Sequence, residues 1–138
     1  MSDTANLFTT SSAREYAARG ELEEWVHLFL NAEGNNAELS KGLKREPRTW
    51  TGPFEVELAK LERIVGPEAH MEYVEEEAAW NDRVDRIAAR LQTGWDMPPL
   101  ILEQRTDTFS VRDGNHRLGA AERLGRKICP VIVWENTI

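Results

Sequence analysis

Residues 111–125 read Val-Arg-Asp-Gly-Asn-His-Arg-Leu-Gly-Ala-Ala-Glu-Arg-Leu-Gly, and the local structure of this stretch decides the fold. Apolar residues alternate with polar ones up to Gly114, which is the pattern of a half-buried strand that ends at a glycine. Beyond it, apolar residues recur at helical spacing as far as Gly125, where a glycine is typical of a helix C-cap. The stretch therefore predicts a strand that turns sharply into a helix.

The start of this helix has the features of a phosphate site. A helix that begins directly after a glycine turn presents unpaired backbone N–H groups and the positive end of its dipole. Gly114 would let a ligand approach the main chain, while His116 and Arg117 add side-chain donors in the first turn. The alternative is a plain strand–helix corner in which Asp113 caps the helix and the arginines are solvated. Spacing alone does not decide between the two.

The charge of this region differs from that of the rest of the chain. Residues 111–127 carry a net charge of +3 while the whole chain of 138 residues carries −7, so the remainder carries −10. Such a cationic island in an acidic protein favours a small anionic ligand. The acidic balance argues against broad binding to the DNA backbone, which makes DNA the less expected partner. The cations of the island are Arg112, Arg117, Arg123, Arg126 and Lys127, and its anions are Asp113 and Glu122.

The chain as a whole is typical of one folded domain with a hydrophobic core. No apolar run approaches the roughly 20 residues that span a bilayer, so no membrane partner is expected. Residues 1–4 lack the cationic and apolar segments of a secretion signal, which predicts a cytoplasmic protein. The single cysteine, Cys129, adjoins an apolar strand and is expected to be buried and unreactive. The three histidines are scattered, so no His or Cys metal cluster is predicted.

Residues Asp113-Gly114-Asn115-His116-Arg117-Leu118 resemble the central motif of the ParB/sulfiredoxin superfamily. The resemblance continues in Pro98-Pro99-Leu100-Ile101-Leu102, Ala120-Ala121, Leu124-Gly125 and Pro130-Val131-Ile132-Val133. It implies an α+β fold in which residues 53–138 form a small mixed sheet with flanking helices. Residues 1–52 are then a helical N-terminal extension that packs on this core. The resemblance also implies that the Gly-x-His-Arg turn binds nucleotide phosphates.

Differences from the members of this superfamily narrow the function. Sulfiredoxins carry a catalytic cysteine where this chain has Asn115, so sulfinic acid repair is not expected. ParB proteins follow this domain with a helix-turn-helix DNA reader, and we expect none in a chain that ends at Ile138. Free-serine kinases carry Asp-Gly-His-His-Arg, which is the most similar of the three motifs to residues 113–117. The label "ParB-like nuclease" is also given to such domains, although no residue here indicates nuclease chemistry.

The resulting hypothesis is a magnesium-dependent phosphotransferase or nucleotide hydrolase that takes ATP, ADP or CTP. Gly114, Asn115, His116 and Arg117 would bind the phosphates, and His116 and Asp113 are the catalytic candidates. Asp113 would hold Mg²⁺ or orient an acceptor hydroxyl. Two alternatives stay open: a non-catalytic module that responds to nucleotide, and a ParB-like protein of DNA partition or nuclease type. In the module, the helices of the extension, with Trp25, Phe29 and Trp50, would be the partner surface.

Hydrophobic periodicity predicts the remaining elements. The last strand is a nearly continuous apolar run, which is typical of a strand covered on both faces, and the strand–helix–strand unit over 109–134 predicts a right-handed crossover. The predicted helices span 12–33 with a break at Gly20, 37–43, and 68–82 with a continuation to about 93, and a short helical turn is predicted at 61–65. The predicted strands span 54–58, 100–103, 109–112 and 130–135. A hairpin turn is predicted at 105–108 and an irregular segment at 44–53.

Overall fold

The computed structural model describes residues 7–137. Residues 1–6 and Ile138 lie outside the described part, and so does the prediction that the N-terminus carries no secretion signal. It is an α+β fold, as predicted, with a five-stranded mixed sheet between two groups of helices. The elements in chain order are α1 (Thr10–Ala18), α2 (Leu22–Leu30), α3 (Ala37–Leu43), β1 (Arg48–Glu57), a 3₁₀ turn (Leu58–Lys60), β2 (Leu61–Arg63), β3 (Val65–Gly66), β4 (Tyr73–Val74), α4 (Glu77–Leu91), β5 (Leu100–Gln104), β6 (Phe109–Asp113), α5 (Asn115–Arg123) and β7 (Ile128–Asn136).

The strands of the sheet are ordered β1-β7-β5-β6-β2, and β3 and β4 form a separate parallel pair. β7 is antiparallel to β1 and parallel to β5, whereas β5 and β6 form an antiparallel hairpin. β6 and β7 therefore run in opposite directions with β5 between them. The prediction of a right-handed crossover between two parallel strands is wrong. β6 and β7 are antiparallel to each other, because β5 pairs antiparallel with β6 and parallel with β7.

Both faces of the central strands are buried, as the apolar run in β7 predicts. Leu100 and Leu102 of β5 face α4 and α5, whereas Ile101 faces the N-terminal helices. β7 alternates in the same way, because Val131 and Val133 lie in the first core and Ile132 and Trp134 in the second. Such two-sided burial is typical of strands in a sheet whose two faces are covered by helices.

The helices α1–α3 cover one face of this sheet. Trp25 and Phe29 stack at a ring-centroid distance of 5.2 Å, and only 1% and 3% of their surfaces are exposed. Trp50 is half-buried beside the same core. Trp25 and Phe29 are thus buried in the core and do not form the exposed partner surface that the binding-module hypothesis requires. β1 runs across the boundary predicted between residues 52 and 53.

Three local predictions fail, two of them because contacts from elsewhere in the chain override local preference and one because of a local cap. Residues 48–53 belong to β1 because they pair with β7. Residues 61–65 are extended and do not form a helical turn. β2 pairs with β6, and the N–H groups of Ile64 and Val65 donate to the side-chain oxygen of Asn115. α4 begins only at Glu77, because the carboxylate of Glu76 accepts hydrogen bonds from the N–H groups of Ala78 and Ala79 and so sets its N-terminus.

The decisive helix α5 ends as predicted. Gly125 has a φ of +71°, its N–H donates to Glu122, and the N–H of Arg126 donates to the carbonyl of Ala121. These two bonds form a Schellman motif. Between residues 7 and 137, none of the helices has the length and apolar character needed to cross a membrane.

Candidate functional site

The turn between β6 and α5 is built on Gly114, which has a φ of +102°. A Cβ atom at this position would lie 2.5 Å from Cδ2 of Leu100 and 2.9 Å from Nη2 of Arg117, so only glycine fits. No side chain caps α5, and among residues 7–137 no acceptor binds the N–H groups of its first turn. The N-terminus of α5 is therefore open to an anion.

Arg117 is buried in the framework of this turn. Its Nη2 donates to Oδ2 of Asp113 at 2.9 Å, and its Nη1 donates to the carbonyl oxygens of Pro98 and Pro99, the latter at 3.2 Å. The guanidinium also lies 5.3 Å from the ring centroid of Phe29. Its charge and two of its nitrogens are thus engaged by the protein itself. This arrangement ties the start of α5 to the segment that enters β5.

Asp113 is engaged at both carboxylate oxygens. Oδ2 accepts from Arg117, and Oδ1 accepts from Nδ2 of Asn36 in the N-terminal extension at 2.9 Å. In the part of the chain that the structure describes, no group of three or more His, Cys, Asp or Glu could hold a metal ion. Both oxygens of Asp113 are thus engaged by protein donors, and its role as a magnesium ligand stays a prediction.

Asn115 serves the fold on the opposite side of the turn. Its side-chain oxygen accepts from the N–H groups of Ile64 and Val65 at 2.8 and 3.2 Å, and its amide donates to the carbonyl of Val111 at 3.0 Å. The residue is 5% exposed. Its side chain therefore holds β3 against the turn, and it has no polar atom directed at a ligand.

His116 is held in one orientation by two neighbours. Its Nε2 lies 2.9 Å from Oε2 of Glu75, and its ring packs at 4.7 Å from the ring of Trp80. Nδ1 has no hydrogen-bond partner among the described residues, and it is not a buried atom. Burial lowers the pKa of His116, and the positive charge of Arg83 lowers it further, against the opposing effect of Glu75. The ring is therefore predominantly neutral at pH 7, with a free lone pair on Nδ1 when the proton is on Nε2.

A cleft of about 280 Å³ opens beside this turn. The motif forms one wall, α4 forms the second, and the turn after α2 forms the third. Arg83 and Arg90 of α4 line it, two helical turns apart on the same face, and no carboxylate in the described range pairs with either. The lining residues are Phe29, Glu33, Gly34, Arg83, Ile87, Arg90, Trp95, Pro98, Asp113, Gly114, His116 and Arg117.

Sequence reasoning missed Arg83 and Arg90, although a signal exists. Arg83, Ile87 and Arg90 share the spacing i, i+4, i+7, which places them on one helix face. Arg86 between them is different, because it pairs with Asp82 at 2.9 Å. Arg90 also stacks 3.9 Å from the ring centroid of Trp95, which holds its guanidinium at the cleft.

Three of the five cations in residues 111–127 have carboxylate partners in the structure. Arg112 pairs with Glu72 at 3.3 Å, Arg117 with Asp113, and Arg123 with Asp85. Two of these partners lie 38 or more residues away in sequence, so a local count of charge cannot include them. The unpaired positive charge at the cleft comes from α4 instead.

No protein-family model and no curated protein matches this chain. Solved structures that are similar to it include a conserved hypothetical protein from Pyrococcus furiosus, with 22% identity and a TM-score of 0.44 over 58% of this chain and 31% of that one. A Pnob8-like ParB-N domain has 20% identity and a TM-score of 0.45 over 64% of this chain and 30% of that one. A free serine kinase in complex with AMP has 17% identity and a TM-score of 0.45 over 64% of this chain and 33% of that one. This chain thus matches about a third of the length of each structure.

Proposed function

We propose that this protein binds the phosphate groups of a nucleotide such as ATP, ADP or CTP in the cleft beside the β6–α5 turn, and that it transfers or hydrolyses a phosphoryl group there. The observation that carries the proposal is that Arg83 and Arg90, which pair with no carboxylate between residues 7 and 137, line a cleft that the uncapped N-terminus of α5 also lines. Two cations and a set of free N–H groups are complementary to a chain of phosphates.

The size and composition of the cleft support this ligand class. Its volume of about 280 Å³ is close to the lower end for small-molecule sites, which suits a phosphate chain with part of a nucleoside. The aromatic ring of Trp95 adds an apolar surface next to Arg90. The Gly-x-His-Arg resemblance also implies phosphate binding at this turn.

The roles within the motif differ from those that the sequence suggests. Gly114 provides close approach of the main chain, and the N–H groups of residues 115–117 are the proposed phosphate donors. Arg117 and Asp113 form the buried pair that shapes the turn, so we assign the charged phosphate contacts to Arg83 and Arg90. His116 is the proposed catalytic residue, because its ring lines the cleft and its Nδ1 is free.

The experiment that tests the proposal is isothermal titration calorimetry of the full chain with pyrophosphate, AMP, ADP, ATP and CTP, each with and without magnesium. AMP and ADP are included because free serine kinases have been solved with them. We expect saturable binding that weakens with added salt, together with a rise in melting temperature. Absence of binding to every one of these anions would refute the proposal.

A turnover assay then separates the enzyme from the alternatives. Release of phosphate, or its transfer to a hydroxyl acceptor, supports the enzyme, whereas stoichiometric binding without turnover would favour the nucleotide-responsive module. DNA partition or nuclease activity stays a prediction of the family label. Salt-sensitive DNA binding at near-physiological ionic strength, without nucleotide binding, would favour that alternative.

A further inference from the structure

His116 lies at the cleft with one ring nitrogen held by a carboxylate and the other without a partner among the described residues. Glu75 occupies Nε2 through contacts of 2.9 and 3.1 Å, while Nδ1 has no partner among the described residues and is not fully buried. His116 lines the cleft and Glu75 does not. The carboxylate therefore holds Nε2, and Nδ1 is the ring nitrogen that is left for a ligand in the cleft.

The ring is also prevented from turning. The indole of Trp80 packs against the imidazole, and only 5% of the surface of Trp80 is exposed. The guanidinium of Arg63 also contacts this indole, at 4.9 Å from the ring centroid. Gly119 lies against the same indole, since a Cβ there would come within 2.7 Å of it. A fixed imidazole keeps its lone pair aligned toward one direction of attack, which lowers the entropic cost of reaction.

The charges around the ring favour both attack and product. Arg83 is the cation within electrostatic reach, and Glu75 and Asp113 are the anions. Arg83 and the α5 N-terminus would attract the oxygens of an incoming phosphoryl group. Glu75 would offset the positive charge that develops on the ring when Nδ1 forms a new bond.

Resting on the proposed function, we propose that His116 accepts a phosphoryl group on Nδ1 from a nucleoside triphosphate, with Glu75 as its positioning residue. The Nδ1 lone pair forms the nitrogen–phosphorus bond, the bridging phosphorus–oxygen bond breaks, and its electron pair leaves on the nucleoside diphosphate. The Nε2 proton stays in the hydrogen bond to Glu75. Water or an acceptor hydroxyl then attacks phosphorus, the nitrogen–phosphorus bond returns its electron pair to Nδ1, and the hydroxyl proton passes to solvent.

The test uses the full chain and two phosphoryl donors. ATP and CTP labelled in the γ-phosphate test the complete reaction, and phosphoramidate tests the nucleophile without a nucleotide site. His70 is the internal control, because it is exposed, forms no ion pair with a carboxylate among residues 7–137 and does not line the cleft. We expect acid-labile, base-stable label that maps by mass spectrometry to His116 with nucleotide, and faster modification of His116 than of His70 with phosphoramidate.

Variants separate the chemistry from the fold. His116→Gln should abolish the nucleotide-dependent label, and His70→Gln should leave it unchanged. Glu75→Gln should slow labelling by at least about tenfold while His116 remains present, because it removes the charge that stabilises the product but keeps a hydrogen-bond acceptor. Equal labelling rates in Glu75→Gln and wild type would refute the positioning role.

Failure of this inference can be distinguished from failure of the proposed function. If calorimetry detects nucleotide binding and no acid-labile label forms on His116, the nucleophile proposal is overturned and the binding site stands. If no nucleotide binds but phosphoramidate modifies His116 faster than His70, the nucleophile stands and the nucleotide proposal falls. Modification of His70 alone by phosphoramidate would show that Nδ1 of His116 is not available, which also overturns the inference.

Discussion

Removal of one positive charge from the cleft should weaken phosphate binding by a predictable amount. Arg83 and Arg90 are both exposed, so solvent screens their contacts. We therefore assign about 1 kcal/mol to each, below the range of about 1.5 to 3 kcal/mol for hydrogen bonds to charged groups. Arg83→Gln or Arg90→Gln should then raise the Kd for pyrophosphate about fivefold. Their Cα atoms lie about 10 Å apart along the helix, so the double variant should approach about 30-fold if each contacts a different phosphate.

The assay is calorimetric titration with pyrophosphate and with ADP, each at two salt concentrations. Arg86→Gln is the matched control, because it removes the same charge from the same helix at a residue that pairs with Asp82 and does not line the cleft. The control should bind like the wild type after correction for net charge. Added salt should reduce the difference in Kd between the wild type and the Arg83→Gln and Arg90→Gln variants, because salt screens the arginine–phosphate contacts that these variants lack.

Two results would refute this reasoning. Wild-type affinity in both Arg83→Gln and Arg90→Gln would show that the ligand does not contact α4. An equal loss of affinity in Arg86→Gln would show that the effect comes from the overall charge of the helix and not from the cleft.

The remaining predictions concern stability. Arg117→Met should lower the free energy of unfolding by about 3 kcal/mol or more, measured by urea denaturation, because it leaves Asp113 as a buried charge without its partner; a loss below about 1 kcal/mol would contradict the framework role. Gly114→Ala should destabilise more than Gly94→Ala, because both glycines have positive φ but a Cβ meets close neighbours only at Gly114, and equal losses in urea would show that the turn relaxes freely. Burial lowers the pKa values of His27 and His116 below their ordinary 6.5, so the unfolded chain binds more protons and stability should fall as the pH drops below about 6.5. Urea curves at pH 7.5 and 5.5 measure this loss, and His116→Gln should reduce it.

The parts of the fold that local pattern determines were predictable from sequence. α5 and its C-cap at Gly125 follow from helical spacing and a glycine, and β7 follows from a long apolar run. The hairpin of β5 and β6 follows from two short strands around a polar turn. In each case neighbouring residues supply most of the information, so tertiary contacts reinforce the local preference and do not oppose it.

The site could be predicted only in part, because its electrostatics depend on long-range pairing. The motif turn and the place of His116 at a cleft follow from the sequence. The burial of Arg117 does not, since it depends on carbonyl groups of residues 98–99 that pack against the turn. Arg83 and Arg90 are identified only once the structure shows that Arg112, Arg117 and Arg123 pair with the carboxylates of Glu72, Asp113 and Asp85.

The hydrogen bond from Asn36 to Asp113 makes the cleft a joint product of two stretches of chain. The segment that resembles a known domain begins after residue 52, yet one wall of the cleft and one donor to the motif come from before it. A fragment trimmed to residues 53–138 would lose that wall, and it would also lose the cover over Ile101, Ile132 and Trp134. A transfer of residues 53–138 alone into a relative would therefore not reproduce the cleft, because residues on both sides of position 52 line it.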